Sequence, residues 1–380
     1  MHIVIVGAGA AGSAAVKKLR ALDKEVRITL ISADEAAYSR VMLSKVVGGK
    51  KTEDEIALFT AEDMEKQDVK WLRGCPVASV RCQEKRVFLA DGRALEYDKL
   101  LLATGAQAGK PPVPGLREAE NSYVLRDMQD ARAIRRAARP GSQWVILGAG
   151  LVGMEAAEAL CSLGVRVTVV EMADRVMPLQ MDQRCAGDYQ RLFEEAGCAF
   201  ALSARLARVE LEDGRAVAAE LEDGRRLACD GLVTAAGVSP RCGFLEGSGL
   251  DWDPRGGIKV DGHLATSQSG VWAAGDVAGL TGTWMPAQEQ GETAAVNMLG
   301  GDRAYAAPRV QRHMASYYGL STVSVGEVNG EGQVLTEGET GRYKRVVLRE
   351  GRVVGVLEQG GAARALRYQK AIEEGRPSAD

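Results

Sequence analysis

The sequence predicts an α/β protein made of two large domains with parallel sheets, followed by a small C-terminal α+β domain. The first observation is a pattern of strand, glycine loop, helix and strand that begins at His2 and returns near Trp144. The second is a change after about Ala306, from Ala-rich helical segments to short β-rich segments. A repeated βαβ pattern predicts two similar units, and the later change predicts a third, smaller one.

Composition places the chain among ordinary globular proteins. It has 380 residues, 46% of them apolar, and its 48 Lys plus Arg nearly balance 51 Asp plus Glu. The charges are interleaved, which argues against a nucleic-acid arm or a basic membrane patch. No apolar run approaches the roughly 18 residues of a membrane helix, and the N-terminus begins directly as an apolar strand. We therefore expect a cytoplasmic protein that binds neither nucleic acid nor membrane.

Cysteine and histidine spacing predicts reduced thiols and no bound metal. The seven cysteines are scattered, and no two of them lie two to four residues apart. Zinc and iron–sulfur sites use clustered thiolates, and a redox disulfide of the common enzymatic kind uses two neighbouring cysteines. The three histidines, His2, His263 and His313, are isolated as well.

The first predicted unit is Rossmann-like. It has a strand over 2–6, a glycine loop, a helix to about Leu22 and a second strand over 26–31. In such a loop the first glycine makes a tight turn, the second lets the backbone approach a pyrophosphate, and the third lets helix and strand pack closely. The helix N-terminus then faces the phosphate charge. The predicted binding residues are Gly7, Gly9, Ala10, Ala11 and Gly12, with Asp34 or Glu35 as the ribose acid and Asp34 preferred.

The second unit repeats this pattern, with strands over 144–147 and 165–170 and a helix to about residue 163. Glu171 ends the second strand, where its carboxylate can accept hydrogen bonds from both ribose hydroxyls. This favours NADH over NADPH, because Glu171 would repel a 2'-phosphate, and Arg175 is the residue that argues for NADPH. The loop residues predicted to bind the nucleotide are Gly148, Gly150, Leu151, Val152 and Gly153.

A proline-rich linker and two returning strands set the predicted domain boundaries. The linker, 109–115, contains three prolines, which prevent regular structure. Strands over 99–103 and 232–236 are expected to return to the two sheets, and a strand over 271–273 belongs with the first. The predicted domains are 1–112 with 244–305, then 113–243, then 306–380. The last contains β segments over 321–328 and 343–357 and a basic helix around 363–374.

Three segments outside the loops carry a more specific pattern. They are Leu102-Ala103-Thr104-Gly105, Ala235-Ala236-Gly237-Val238-Ser239-Pro240 and Thr266-Ser267-Gln268-Ser269-Gly270-Val271-Trp272-Ala273-Ala274-Gly275-Asp276. Together with the two loops they resemble the FAD-dependent pyridine nucleotide reductases, the glutathione-reductase-like flavoproteins with two dinucleotide folds. The resemblance covers about residues 1–305. It implies that the first loop holds FAD, that the second holds NAD(P)H, and that Asp276 hydrogen-bonds the ribityl chain. The FAD and NAD residues that it adds are Ala103, Thr104, Gly105, Ala236, Gly237, Gly275 and Asp276.

The segment 38–45 separates branches of this family. Members that reduce disulfides, coenzyme A disulfide or oxygen to water carry a redox cysteine near Val41 or Met42, and this chain has none there. The segment instead resembles NADH-rubredoxin reductases, the flavin domain of NADH-nitrite reductases and, more distantly, ferredoxin reductases of oxygenase systems. This implies electron transfer from NADH through FAD to an iron protein such as rubredoxin or ferredoxin.

The resemblance also implies two catalytic residues. Lys45 is expected beside the flavin ring, where its charge would stabilise the reduced form, and Glu155 is expected to pair with it. The alternatives are that Lys45 is a solvated helix lysine and that Glu155 interacts with the helix dipole in the first turn.

Two further elements are predicted to contact FAD. Arg40 is expected at the phosphate or ribose, the alternative being a free surface arginine. A helix beginning near Pro286 is expected to direct its N-terminus, with Ala287 and Gln288, at the flavin. An ordinary capped helix is the alternative.

Several functions stay open beside the iron-protein reductase. They are an NADH-oxidising flavin subunit of a larger redox complex, an NADH-binding flavoprotein with a sensing role, and a peroxide-forming NADH oxidase. Nitrite reduction by this chain is excluded, because the sequence has no sirohaem or iron–sulfur ligation motif. The third domain is an acceptor surface, a homodimer contact or a dock for a partner subunit. Its basic face, Arg364, Arg367 and Lys370, either meets an acidic iron protein or is a solvated face.

Overall fold

The computed structural model describes residues 1–279, 282–339, 341–361 and 364–377. The chain groups into two compact units. The first comprises Met1–Leu43, Lys51–Ala108 and Gly237–Ala307, and the second comprises Ser44–Lys50, Gly109–Ala236 and Pro308–Asp380. The boundaries of the three predicted domains stay a prediction.

The first unit is built on a five-stranded parallel sheet. Because side chains alternate across a strand, Ile3 and Ile5 pack with the helices Ala10–Leu22 and Trp284–Met298 on one face. Val4 and Val6 pack on the opposite face with an antiparallel ribbon. Both faces are therefore covered, as is usual for parallel sheets. The strand order is Val271–Ala273, Lys99–Leu102, His2–Val6, Arg27–Ile31 and Val69–Leu72, and the ribbon strands are Val77–Arg81, Arg86–Leu89 and Ala94–Glu96.

The remaining elements of the first unit are short. They include the helix Ala61–Lys66, which begins with a reciprocal cap between Thr60 and Asp63. The helix Leu43–Val47 begins at the last residue of this unit's first segment, and its other residues belong to the second unit. The other strands are Ala37–Tyr38, Ala57–Phe59, Ala106–Ala108, Val238–Pro240, Trp252–Asp253 and Gly257–Ile258, and the single 3-10 turns are Arg40–Met42, Asp54–Ile56, Gly243–Leu245 and Asp276–Ala278.

The second unit contains a five-stranded parallel sheet that repeats the arrangement around the first glycine loop. In both sheets the strand before the loop is central, with the next βαβ strand on one side and the returning strand on the other. The order here is Ser122–Val124, Gly231–Thr234, Gln143–Leu147, Arg166–Val170 and Cys198–Ala201. The helices are Met128–Ala137, Leu151–Ser162 and Gln183–Glu195, and the antiparallel ribbon is Leu206–Glu212, Arg215–Leu221 and Arg226–Ala228.

The C-terminal part of the second unit is an antiparallel five-stranded sheet covered by one helix. Its order is Arg312–Tyr317, Leu320–Gly326, Arg352–Gln359, Arg342–Arg349 and Gln333–Glu339. The predicted β-rich segment over 343–357 is a hairpin, in which Glu350 and Gly351 adopt positive φ and turn the chain. The helix is Ala365–Glu373, and its Tyr368 is wholly buried against the sheet. Ala363, where this helix was predicted to begin, lies outside the described residues.

The C-terminal sheet packs on the helix Gln183–Glu195 through a polar and aromatic contact. Tyr189 Oη is 3.0 Å from both Leu320 O and Thr322 Oγ1. Tyr317 meets the rings of Tyr189 and Phe193 at centroid distances of 5.6 and 5.3 Å. Among the described helices, none is long and apolar enough to cross a membrane.

Candidate functional site

The first glycine loop leaves open the space that a pyrophosphate needs. At Gly7, where φ is +112°, an added Cβ would lie 2.1 Å from Ala103 O, and at Gly12 it would lie 1.8 Å from Gly7 O. At Gly9 a Cβ would meet no atom within 4 Å. The chain's own packing therefore requires the first and third glycines, whereas the second borders open space at the start of the helix Ala10–Leu22. The arrangement fits a dinucleotide phosphate at the helix N-terminus.

The second loop has the same geometry. A Cβ at Gly148 would lie 2.7 Å from Ala235 O, and one at Gly153 would lie 1.9 Å from Gly148 O. Gly150 again borders open space. Two residues that were predicted to bind the nucleotide lie at the start of the helix: Leu151 is its first residue, and Val152, its second, is exposed.

Asp34 and Arg40, two of the predicted FAD residues, contact each other in the first unit. Asp34 Oδ2 accepts hydrogen bonds at 2.9 Å from Tyr38 Oη and from Arg40 Nη2. The Arg40 guanidinium also lies 5.3 Å from the centre of the Tyr38 ring. The Glu35 carboxylate lies beside Gly74 instead, where an added Cβ would be 2.2 Å from Glu35 Oε1. Arg40 is thus not a free surface arginine, and the choice of ribose acid stays a prediction.

The Gly275–Asp276 turn is fixed by a residue that the sequence reasoning missed. Gly275 adopts φ +81°, and its N–H donates to Gln290 Oε1 at 2.6 Å. Gln290 is fully buried in the helix Trp284–Met298. A glutamine on a largely buried helix face is the signal that could have identified it. In the same unit, Thr104 Oγ1 donates to Arg241 O at 3.2 Å, and Ala103 and Gly105 lie on either side of Thr104, after the end of the strand Lys99–Leu102.

The helix predicted to face the flavin begins earlier than expected. It starts at Trp284, so Pro286 is its third residue rather than its first. Proline is tolerated there because the first N–H groups of a helix have no intrahelical acceptor. Pro286 carries no N–H, and the N–H of buried Ala287 donates to Thr283 O at 3.3 Å, so neither supplies a free N–H at this end, and Gln288 lies just beyond the first turn.

Glu171 and Arg175 bear on the choice between NADH and NADPH. Glu171 accepts backbone hydrogen bonds from Ala149 at 2.7 Å and Ala173 at 2.9 Å, which places its carboxylate directly at the second loop. Arg175 pairs with Asp174 at 2.7 Å and donates to the carbonyls of Pro178 and Met181. The Arg175 guanidinium, the group that argues for NADPH, is thus already paired with other groups of the protein. Ala236 and Gly237, the remaining predicted NAD residues, are exposed just after the strand Gly231–Thr234.

Lys45 contacts a different carboxylate from the one predicted. Lys45 Nζ lies 2.8 Å from Glu158 Oε2, and Lys50 Nζ lies 2.9 Å from Glu158 Oε1. The prediction of a direct Lys45–Glu155 pair is therefore corrected. Glu158 follows Glu155 by one helical turn, so both acids share a face, and this spacing is a signal that sequence reasoning passed over. Burial raises the pKa of Glu158, but the two lysines outweigh burial and hold the pKa below its usual value.

Glu155 lies next to this ion pair. It is the fifth residue of Leu151–Ser162, beyond the first turn, so a helix-dipole role in that turn does not apply. Burial raises the pKa of Glu155 to about 7, and the charge of Glu158 adds to the rise while the charge of Lys45 opposes it. Tyr317 Oη, from the C-terminal sheet, donates to Leu151 O at 3.2 Å at the start of the same helix.

Replacement of Glu155 by glutamine should change how stability depends on pH. The unfolded carboxyl loses its proton near its ordinary pKa of 4.5, whereas the folded one keeps it until about 7. The folded state binds more protons in this window, so wild-type stability falls as pH rises through it, by up to roughly 3 kcal/mol. Urea unfolding from pH 4 to 8 should show this loss reduced in Glu155→Gln.

The control is Glu195→Gln, at the exposed end of Gln183–Glu195. It should follow the wild-type curve. Parallel curves for wild type and Glu155→Gln would contradict the raised pKa of Glu155.

All seven cysteines are free thiols in the structure. The fold nevertheless brings two distant ones together: a hydrogen bond between Cys161 and Cys198 lowers the pKa of Cys161 and raises that of Cys198. Sequence spacing gave no sign of this contact. Among the described residues, no three His, Cys, Asp or Glu side chains group as metal ligands.

The basic face of the last helix is partly neutralised. Arg364 pairs with Glu358, and Lys370 Nζ lies 3.7 Å from Glu374. Arg367 is exposed. These pairs favour the interpretation as a solvated charged face.

Comparisons with known proteins agree with this geometry. Residues 1–291 match the family model described as pyridine nucleotide-disulphide oxidoreductase, and 316–376 match the rubredoxin NAD+ reductase C-terminal domain. The chain is 33% identical to the NADH-dependent phenylglyoxylate dehydrogenase subunit epsilon of Aromatoleum evansii, over 93% of this chain and 87% of that protein. It is 35% identical to the rubredoxin-NAD(+) reductase of Alcanivorax borkumensis, over 75% of each. The solved putidaredoxin reductase–putidaredoxin complex matches with a TM-score of 0.88 and 27% identity, over 99% of this chain and 94% of that chain.

Proposed function

The chain belongs to the pyridine nucleotide-disulphide oxidoreductase family, and from this we propose that it is an NADH-dependent FAD oxidoreductase. It takes hydride from NADH onto FAD and passes electrons singly to a small iron protein such as rubredoxin or ferredoxin, without a redox-active disulfide. The predicted family and the predicted fold class, with its two dinucleotide-binding folds, are confirmed.

The observation that carries the proposal is the pair of glycine loops. In each, the first and third glycines are packed against the chain's own carbonyls, while the second faces open space at a helix N-terminus. Two such loops can bind two dinucleotides. The C-terminal match to a rubredoxin NAD+ reductase domain and the putidaredoxin reductase relative support an iron protein as acceptor.

Within this proposal each group of residues has a binding or electrostatic task. Gly7, Gly9 and Gly12 hold the FAD pyrophosphate, and Asp276 the ribityl chain. The second loop and Glu171 hold NADH. FAD, once bound, converts the two-electron chemistry of NADH into the one-electron chemistry of an iron centre. Lys45 supplies positive charge at the flavin, and Glu155 holds a proton near neutral pH because of its raised pKa.

Glu171→Gln should weaken NADH more than NADPH. The change removes charge-assisted hydrogen bonds to the ribose hydroxyls of NADH, which costs about tenfold in KM, whereas for NADPH it also removes a repulsion of the 2'-phosphate. The kinetics of flavin reduction by each nucleotide measure the effect. The amount of bound FAD, which should not change, is the control. Equal weakening of both nucleotides would sink the ribose assignment.

Steady-state turnover with one acceptor at a time tests the electron route. With excess rubredoxin or ferredoxin, each NADH should reduce two molecules of the one-electron carrier, and oxygen should be consumed slowly. Oxygen as the faster acceptor, with hydrogen peroxide as product, would instead identify an NADH oxidase.

A second candidate is the NADH-oxidising flavin subunit of a larger complex. It is favoured by the near full-length similarity to a protein named as a subunit of an NADH-dependent dehydrogenase. Fast reduction by NADH combined with slow transfer to every soluble iron protein would select this candidate.

A further inference from the structure

Glu158 is a buried carboxylate placed between two ammonium groups. Its side chain is only 6% exposed, and its two oxygens lie 2.8 Å from Lys45 Nζ and 2.9 Å from Lys50 Nζ. All three residues belong to the same compact unit, the lysines on the segment 44–50 and Glu158 on the helix Leu151–Ser162. Burying a carboxylate without cations is strongly unfavourable, so this position favours the ion pairs.

The backbone of the segment 44–50 is fixed to the same unit. Arg135 Nη1 donates to Val46 O at 2.7 Å, and within the segment Lys50 N donates to Lys45 O at 2.8 Å. A Cβ at Gly48 would lie 3.3 Å from the Cα of Ala159, so the segment packs closely on the helix that carries Glu158. These contacts fix the backbone of the segment, and Glu158 fixes the position of the Lys45 ammonium group.

The number of charges matters as well. A single carboxylate paired with Lys45 would cancel most of the positive charge that the flavin requires. With Lys50 on the other oxygen, the three groups carry a net charge of +1 when both lysines are protonated and Glu158 is ionised. The neighbouring Glu155, whose pKa burial raises to about 7, adds no charge while it holds its proton, so Lys45 can be held firmly while the cluster remains positive.

We propose that Glu158 is a positioning residue that fixes the Lys45 ammonium for its task at the flavin, and that Lys50 keeps this cluster positive. The inference rests on the proposed function, since it requires FAD as the resident cofactor. It assigns to Glu158 the direct contact that the family resemblance implied for Glu155.

A double-mutant cycle of Glu158→Gln and Lys45→Met on the FAD-bound protein tests the proposal. Glu158→Gln should slow flavin bleaching by NADH about tenfold when Lys45 is present and less than about twofold in the Lys45→Met background. The midpoint potential, set with a chemical reductant, should likewise respond to Glu158→Gln only when Lys45 is present. Equal effects in both backgrounds would overturn the proposal, because Glu158 would then act through its own charge or packing.

Two further variants separate position from charge. Glu158→Asp keeps the negative charge but has a shorter side chain. Flavin bleaching by NADH in this variant should therefore be slowed nearly as much as in Glu158→Gln. Bleaching at the wild-type rate would overturn the positioning role. Lys50→Met should shift the two-electron redox equilibrium toward oxidised flavin, where tenfold corresponds to about 30 mV. Lys51→Met, at the neighbouring, partly exposed lysine that pairs loosely with Glu55, is the matched control and should change neither readout.

The two hypotheses fail in different ways. A wild type that binds FAD but is not bleached by NADH would refute the proposed function, while the potentials would still report on Glu158. A wild type that is bleached by NADH but gives equal effects in the cycle would refute only the role of Glu158.

Discussion

Gly9→Val should give a folded protein that has lost FAD. Gly9 has φ −80° and ψ −161°, which valine adopts readily, and an added Cβ meets no protein atom within 4 Å. The side chain would occupy the place proposed for the pyrophosphate and block its hydrogen bonds to the helix N-terminus. Each charge-assisted bond contributes about 1.5–3 kcal/mol, so losing two weakens FAD by roughly 100-fold or more. Flavin absorbance and urea unfolding of the purified variant measure both outcomes.

Gly12→Ala is the matched control for this variant. Its Cβ would lie 1.8 Å from the carbonyl oxygen of Gly7, so the backbone has to move. Overpacking of this kind costs about 3 kcal/mol of stability. The contrast between a stable, colourless Gly9→Val and a destabilised Gly12→Ala is the expected pattern. FAD bound at wild-type affinity by Gly9→Val would contradict the assignment of the first loop.

Gly150→Val should retain FAD and lose its reaction with NADH. Gly150 also has extended backbone, with φ −71°, and borders open space. By the same reasoning as for Gly9, kcat/KM for NADH should fall by about 100-fold or more. Stopped-flow bleaching by NADH measures this change.

Reduction by dithionite is the control for Gly150→Val, and it should proceed as in the wild type. The two valine variants form a reciprocal test. A Gly150→Val protein that loses FAD, or a Gly9→Val protein that keeps it, would show that the loops are assigned to the wrong dinucleotides.

The βαβ units were predictable from sequence because their signals are local. Buried strands read as continuous apolar runs, and each glycine loop stands directly between a strand and a helix. The strand His2–Val6 and the helix ending at Leu22 appear as expected. β structure over 343–357 was predicted, but not the turn Glu350–Gly351 that divides it into Arg342–Arg349 and Arg352–Gln359, because this turn lies within a run of similar apolar pattern.

The candidate site was only partly predictable, because its contacts join distant segments. Glu171 and Arg40 could be proposed from their position after a strand or within a motif. Glu158 could not be chosen over Glu155, since both lie on one helix face and only the docking of the segment 44–50 decides which of them meets Lys45. Gln290 was missed for a similar reason: its partner, the N–H of Gly275, comes from a different element.

Anaerobic stopped-flow absorbance of the FAD-bound protein is the most direct test of the central claim. The protein is mixed with NADH or NADPH and then with oxidised rubredoxin or ferredoxin. The proposal predicts fast flavin bleaching by NADH, slower bleaching by NADPH, and fast reoxidation by an iron protein in one-electron steps. A flavin that NADH does not bleach, or that oxygen reoxidises faster than any iron protein, would contradict it.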